Sequence, residues 1–367
     1  MRKAVLTTVV PTKALLKQTV LWKRSLLAVA IITTTVLAVA GCSDNSEAPP
    51  PDDLDSWTVV PEFTLHHPEP TGRFQTPRWS PDGRHLAIDG SGGLYLAPFP
   101  MRGLPTRIIE ESIHEFAWSP DSRHVAAIPI GDAMVIIYDV RTGLVRSRIR
   151  VPASRILGDL VWTTGGYLSV SAPEESRHFF FDVEGRAVPE YRIADPSCAW
   201  QRFLPGQEYE IWAIDRQHRQ EQLIAGPGRW FLITSQSPRA RKLVSYTDVV
   251  EKDIVISQLL DFTGLYLYAF PENFVDSDWT SDGRYVVGTE VTGDESEDAI
   301  SGSELVIFDP ETYQYSIITD TPNVIEWEPS LSVANMRIAY INDEGRVVIG
   351  RVVESDGETV KSPLLAP

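Results

Sequence analysis

The stretch RWSPDGRHLAI, Arg78 to Ile88, returns as AWSPDSRHVAAI from Ala117 to Ile128. In both, a strand ends at a tryptophan, a Ser-Pro-Asp turn reverses the chain, and an alternating apolar strand leaves. Proline presets φ at the second turn position, aspartate tolerates the third, and glycine accepts the positive φ that follows. Trp79, Pro81, Asp82 and Gly83 therefore define the motif, and Trp118, Pro120 and Asp121 repeat it.

Drifted copies follow as VWTTGGYLSV with Trp162, AWQRFLPGQEYEIWAI with Trp200, DWTSDGRYVVGT with Trp279, Asp282 and Gly283, and EWEPSLSVANMRIAYI with Trp327. Between Trp200 and Trp279 a weaker copy, QSPRARKLVSY, has Gln236 in place of tryptophan. The intervals are 39, 44, 38, 36, 43 and 48 residues. Four short antiparallel strands with their turns fill a period of that length, so each copy reads as one blade of an all-β propeller. Downstream of the turns, MVIIYDVRTG, HFFFDVEG and ELVIFDPETY supply a third strand closed by aspartate. The large flat indole is expected at the seam between neighbouring blades, where it buries against both.

Counting copies gives seven blades. The region from Trp200 to Trp279 holds seven candidate strands, so either its first blade lacks a strand or the region is one embellished blade and the total is six. The strand WTVVPEFTLHH, Trp57 to His67, precedes the first copy and is expected to close the ring as the outer strand of the last blade, removing an open edge. The propeller is assigned to residues 57–367.

These residues resemble the TolB-like propellers, relatives of the WD-repeat propellers, whose blades carry a Trp-Ser-Pro-Asp-Gly turn and then an apolar strand ending in Asp. The resemblance covers nearly all of residues 57–362. It implies a radial array of blades around a channel.

The N-terminal 41 residues contain six basic and no acidic residues and end in KRSLLAVAIITTTVLAVAGC. This is the layout of a signal peptide, and its apolar run is shorter than a bilayer-spanning helix requires. VAGC, Val39 to Cys42, resembles the lipobox of bacterial lipoproteins, which makes Cys42 the lipid attachment site and first mature residue; stable anchoring follows from two or more acyl chains. SDNSEAPPPDDLDS, Ser43 to Ser56, reads as a solvated tether. In Gram-negative bacteria Ser43, in place of an inner-membrane-retaining aspartate, implies the outer membrane.

Without residues 1–41 the chain keeps 27 basic against 50 acidic residues, a net charge of −23 that repels nucleic acid and anionic headgroups. With Cys42 lipidated, Cys198 has no disulfide partner, and one thiol builds no cysteine zinc site. The sequence calls for no cofactor and no metal.

Catalytic motifs are missing: there is no Gly-x-Ser-x-Gly, no His-Glu-x-x-His and no Walker-type loop. His85 and His124 occupy one slot in two copies and read as a repeated seam or surface position. His66 and His67 are neighbours in a strand and point to opposite faces. The run from Thr292 to Ser303, with Asp294, Glu295, Glu297 and Asp298, reads as a solvated loop before a calcium site, since its spacing is not that of a calcium hand. Ile88 to Gly93, IDGSGG, reads as a hairpin turn.

The expected function is non-catalytic: a lipid-anchored propeller presenting loops and a channel mouth to unidentified envelope proteins. The alternative is a small-ligand binder, hydrolase or lyase using the channel mouth, for which three or more convergent His, Asp or Glu side chains would speak. A structural subunit of an envelope assembly is a third reading. Propeller-bearing serine peptidases add a hydrolase domain, for which the stretch before Pro367 leaves no room.

Overall fold

The computed structural model describes residues 54–153, 157–172, 177–189, 199–204, 208–214, 221–228, 232–238, 241–249, 254–292, 301–321 and 323–354. The signal peptide, Cys42, nearly all of the tether, Cys198 and the carboxylates from Asp294 to Asp298 lie outside the described residues. No helix of the described residues is long and apolar enough to cross a membrane.

The strands in chain order are β1 (Trp57–Leu65), β2 (Phe74–Trp79), β3 (His85–Gly90), β4 (Gly93–Pro98), β5 (Thr106–Ile109), β6 (Ile113–Trp118), β7 (His124–Pro129), β8 (Met134–Asp139) and β9 (Leu144–Arg150). They continue with β10 (Gly158–Trp162), β11 (Leu168–Ala172), β12 (Arg177–Phe181), β13 (Ala199–Leu204), β14 (Glu208–Ile214), β15 (Glu221–Gly228), β16 (Leu232–Gln236), β17 (Lys242–Val249), β18 (Ile254–Asp261) and β19 (Tyr266–Ala269). The last are β20 (Phe274–Trp279), β21 (Val286–Thr292), β22 (Gly302–Phe308), β23 (Tyr315–Ile317), β24 (Glu326–Ser332), β25 (Arg337–Asn342) and β26 (Val347–Glu354).

These strands form seven antiparallel sheets, five of four strands and two of three. The three-stranded sheets are β10–β12 and β13–β15, and an isolated bridge from Phe181 to Ala187 adds the start of a fourth strand to the former. The first strands of the sheets meet around one axis. β24 lies against β2 and β20, β16 against β20 and β13, β10 against β13 and β6, and β6 against β3, which closes the circle. The fold is an all-β propeller.

The sheets stack face to face, so their middle strands are covered on both sides and carry continuous apolar runs. Every residue of β7, β8 after Met134, β11 and β22 is buried. Each core cluster is therefore a seam. Ala126, Ile128, Val135 and Ile137 of one sheet pack with Trp162, Leu168 and Val170 of the next.

The ring is closed by its two ends. β1 pairs antiparallel with β26 as the outer strand of the sheet β24–β26. Arg337 of β25 grips Glu62 of β1 with Nε at 2.9 Å from Oε2 and Nη2 at 3.1 Å from Oε1. Trp57, 7% exposed, sets its ring edge-on to Tyr285 at 5.5 Å. The folded unit reaches slightly past the expected boundary. Leu54–Ser56, assigned to the tether by sequence, form a 3-10 turn with Leu54 fully buried and Asp55 accepting from Ser316.

The turn chemistry repeats atom for atom. Ser80 Oγ donates to Asp82 Oδ1 at 2.7 Å, Arg84 N donates to the same oxygen, and His85 N donates to Ser80 Oγ. Ser119, Asp121, Arg123 and His124 reproduce this set, as do Thr280, Asp282, Arg284 and Tyr285. Gly83 and Gly283 take φ of 68° and 71° in these turns, and Ser122 takes 61° at the equivalent place. The strand-closing aspartates act alike: Asp139, Asp182 and Asp309 accept backbone N–H groups from the turns that follow.

Candidate functional site

The indoles sit on the seams. Trp118 Nε1 donates to the carbonyl of Arg78 at 2.9 Å, and Trp162 Nε1 to the carbonyl of Ala117 at 3.2 Å. Trp79 packs on Ala339, Ile341, Val347 and Ile349 of the preceding sheet, and Trp279 packs on Val244 and Leu259 of its own predecessor. Gln236 fills the tryptophan's role with its amide, for Nε2 donates to the carbonyl of Ala199 and Oε1 accepts from the N–H of the same residue.

Two members of the expected series are placed differently. Trp79, Trp118 and Trp279 pair across the hairpin with residues seven positions on: Leu86, Val125 and Val286. In the sheet β24–β26 the corresponding pair is Leu331 with Ile338. Leu331, 2% exposed, is thus the seam residue, in one core cluster with Tyr285, Val287, Leu305 and Ile307, while Trp327, four residues earlier, packs against the neighbouring cluster that holds Trp79. Trp200 pairs with Trp212 near the start of β13.

His85 and His124 rest over the following copy's indole, His85 at 6.4 Å from Trp118 and His124 stacked at 6.3 Å on Trp162. Burial lowers the pKa of both below the ordinary imidazole value, against the pull of Asp82 on His85 and of Asp121 and Asp139 on His124. His67 is buried with Nε2 on the Ser91 carbonyl, while His66 is exposed. Gly90 pairs with Gly93 across a two-residue hairpin turn.

The ends of the inner strands line a channel on the axis. Counting back from the seam residue, the position three before it is Thr76, Glu115, Asp159, Ile233, Asp276 and Glu328 in six of the sheets. The position one before it includes Arg78 and Asp278. All six inner strands shift register by a β-bulge at this level, which re-aims a side chain that regular pairing would hold against a neighbour. Asp276 and Glu328 both take φ of 51°.

Two chambers result. The larger, about 430 Å³, is walled by Trp79, Trp118, Trp162 and Trp279, with Pro81 and Pro120 at its rim and Glu115, Asp159 and Asp278 within. The smaller, about 240 Å³, holds Thr76, Tyr246, Asp276, Asp278 and Glu328. Arg78 borders both and, among the described residues, is the only basic residue in either lining. Its guanidinium donates from Nη1 to the Phe116 carbonyl and lies 5.2 Å from the centre of the Phe116 ring.

Five carboxylates around one guanidinium leave a charge deficit in an enclosed space. Burial raises Glu328 to about 8, aided by Asp276 and opposed by Arg78. Burial also raises Glu115 and Asp278, again against Arg78. Asp89, on β3 and within the field of Arg78, is raised by burial to about 7. Burial thus favours the protonated form of these acids. Among the described residues no group of three His, Cys, Asp or Glu side chains is arranged to hold a metal ion.

One pair elsewhere has the look of a nucleophile and its base: Ser169 Oγ is 2.7 Å from His178 Nε2. Ser169 is 1% exposed and lines neither chamber, so the contact is a cross-strand hydrogen bond in a core.

The turn residues named from the sequence build the rim and seams, but the ring of acids was not among them. Its signal was present: an acidic residue stands three places before Trp118, Trp162 and Trp279. The chain matches no family model, and no curated protein sequence matches it.

Proposed function

We propose that this chain is a lipid-anchored, non-catalytic propeller that serves as a protein-binding scaffold on a bacterial cell envelope. The observation that carries the binding role is the channel: bulged inner strands from six sheets present carboxylates, one arginine and indole walls to a common space. Rigid sheets that hold side chains around an open cavity equip a molecule to hold a guest. The repeated Trp-Ser-Pro-Asp-Gly turns support membership of the TolB-like group, and VAGC with Ser43 supports a lipid anchor at Cys42 and outer-membrane placement in a Gram-negative cell.

Two measurements test this. Metabolic labelling with a radioactive fatty acid and cell fractionation should show label and membrane association in the wild type and neither in Cys42→Ala. Crosslinking in intact envelopes should capture a reproducible protein partner; crosslinks no richer than those of an unrelated lipoprotein would defeat the scaffold role. The convergence of Glu115, Asp159, Asp276, Asp278 and Glu328 also favours a second reading, a small-ligand site or a hydrolase or lyase centre in the same channel. Turnover of a substrate that Glu115→Gln or Asp278→Asn abolishes would establish it over the first.

A further inference from the structure

We propose that the two chambers around Arg78 receive a basic side chain, lysine or arginine, carried on a peptide segment of the partner. This deepens the scaffold reading and rests on it, since it names the chemistry by which the channel would take hold of a protein.

Charge and access come first. Glu115, Asp159, Asp276, Asp278 and Glu328 each keep part of their surface open to the channel, and among the described lining residues Arg78 alone opposes them. The guanidinium of Arg78 shows how a cation is held here: a backbone carbonyl as acceptor and an aromatic face alongside, in the longer-range field of Glu115, Asp278 and Glu328. A second cation entering the larger chamber would meet Asp278 and Glu115 under walls of tryptophan. An anion entering the same chamber would meet Glu115, Asp159 and Asp278 and find no cation but Arg78 among the described lining residues.

Hydrogen bonding supplies an independent reason. Trp79 and Trp279, 5% and 6% exposed, both wall the larger chamber, and the Nε1–H of each, itself covered by protein atoms, has no acceptor among the described residues. Their counterparts Trp118 and Trp162 donate to backbone carbonyls. Buried donors are nearly always satisfied, so two unsatisfied ones beside a single cavity leave a hydrogen-bonding capacity that a guest's carbonyl would fill once the indoles turn toward it. A peptide brings carbonyl acceptors together with its cation. A bare amine or a metal ion brings the cation alone. The volume, about 430 Å³, lies within the range of pockets that enclose a side chain and its adjoining backbone.

Cation entry also has a thermodynamic signature. Glu328, whose carboxyl is raised by burial to about 8, gives up its proton when a cation takes its place, so binding near neutral pH releases protons.

The test uses the purified full-length protein in detergent, with tryptophan fluorescence and calorimetry as readouts. The probes are N-acetyl-Gly-Lys-Gly amide, butylamine as its carbonyl-free match in charge, calcium chloride, and N-acetyl-Gly-Glu-Gly amide. The lysine peptide should bind about tenfold more tightly than butylamine, and the glutamate peptide should not bind. Calorimetry in two buffers of different ionisation enthalpy should show proton release at pH 7. Asp278→Asn with Glu328→Gln should weaken the lysine peptide by about tenfold or more, while Asp343→Asn, an exposed change of like charge, should leave it unaltered. Equal affinity for butylamine, binding of calcium alone, absence of proton release in the wild type, or a double variant that binds as well as the wild type would each overturn the proposal. The proton measurement needs no variant and so survives a double variant that fails to fold. Loss of peptide binding with envelope crosslinks intact would refute this inference and leave the scaffold reading standing.

Discussion

The indole N–H of Trp118 donates to the backbone carbonyl of Arg78, 40 residues earlier in the chain, at 2.9 Å. One side chain thereby ties two sheets together and fixes the strand that carries Arg78 into the channel. Trp118→Phe keeps most of the packing and removes the donor, leaving a carbonyl in the seam without its partner. Denaturant unfolding should show a loss of about 1–2 kcal/mol. Trp118→Ala should cost about 3–5 kcal/mol, because a cavity is added. If the phenylalanine variant unfolds at the wild-type midpoint, the bond contributes nothing to the seam.

Ser122 stands at φ 61°, where Gly83 and Gly283 stand in sister turns, and its Oγ accepts from Asp82 N at 3.0 Å. Serine is strained there yet supplies a link between adjacent turns. Ser122→Gly relieves the strain and loses the link, so its stability should stay within about 0.5 kcal/mol of wild type. Ser122→Ala keeps the strain and loses the link, and should cost about 1 kcal/mol. The two variants must therefore separate in a melting experiment, with alanine the worse.

Glu328 has its pKa raised by burial to about 8 from 4.5. The folded protein accordingly holds a proton that the unfolded chain releases above about pH 4.5. Its contribution is fully present below that pH and is lost as pH rises toward 8. Glu328→Gln cannot ionise, so its stability relative to wild type should climb steadily across this window in urea titrations at fixed salt. A constant difference would mean that the carboxylate titrates normally in the fold.

His124 works in the opposite sense. Burial against Trp162 lowers its pKa below 6.5, with Asp121 and Asp139 only partly offsetting this. The unfolded chain takes up a proton first as pH falls, so stability drops below about pH 6.5. His124→Phe retains a ring over Trp162 and should flatten that acid limb. An unchanged slope between pH 6.5 and 5 would place the acid sensitivity elsewhere.

Glu62 and Arg337 join the N-terminal strand to the penultimate strand of the chain by a two-bond contact at 2.9 and 3.1 Å. Glu62→Ala should lower stability by about 1 kcal/mol, since the pair is paired geometrically but part-exposed. Hydrogen exchange should rise first along β1 and β26, the strands it closes. Uniform exchange across all sheets would argue against a closure point.

The sequence by itself determined the repeat, the turns and the closure. Ser-Pro-Asp-Gly acts through hydrogen bonds among residues within five positions of each other, so Ser80, Asp82 and His85 could be read without knowing anything distant. Period and apolar runs likewise dictated stacked sheets, and the unmatched strand at Trp57 had one open edge to fill. Tertiary structure decided what the period could not. It gave the seam position to Leu331 in place of Trp327, because register depends on where each strand bulges. It let Gln236 do with an amide what other sheets do with an indole. Above all it gathered Glu115, Asp159, Asp276 and Glu328 around Arg78, since residues separated by 37 to 250 positions become neighbours only when the sheets rotate about a shared axis and their inner strands turn the same side chain inward.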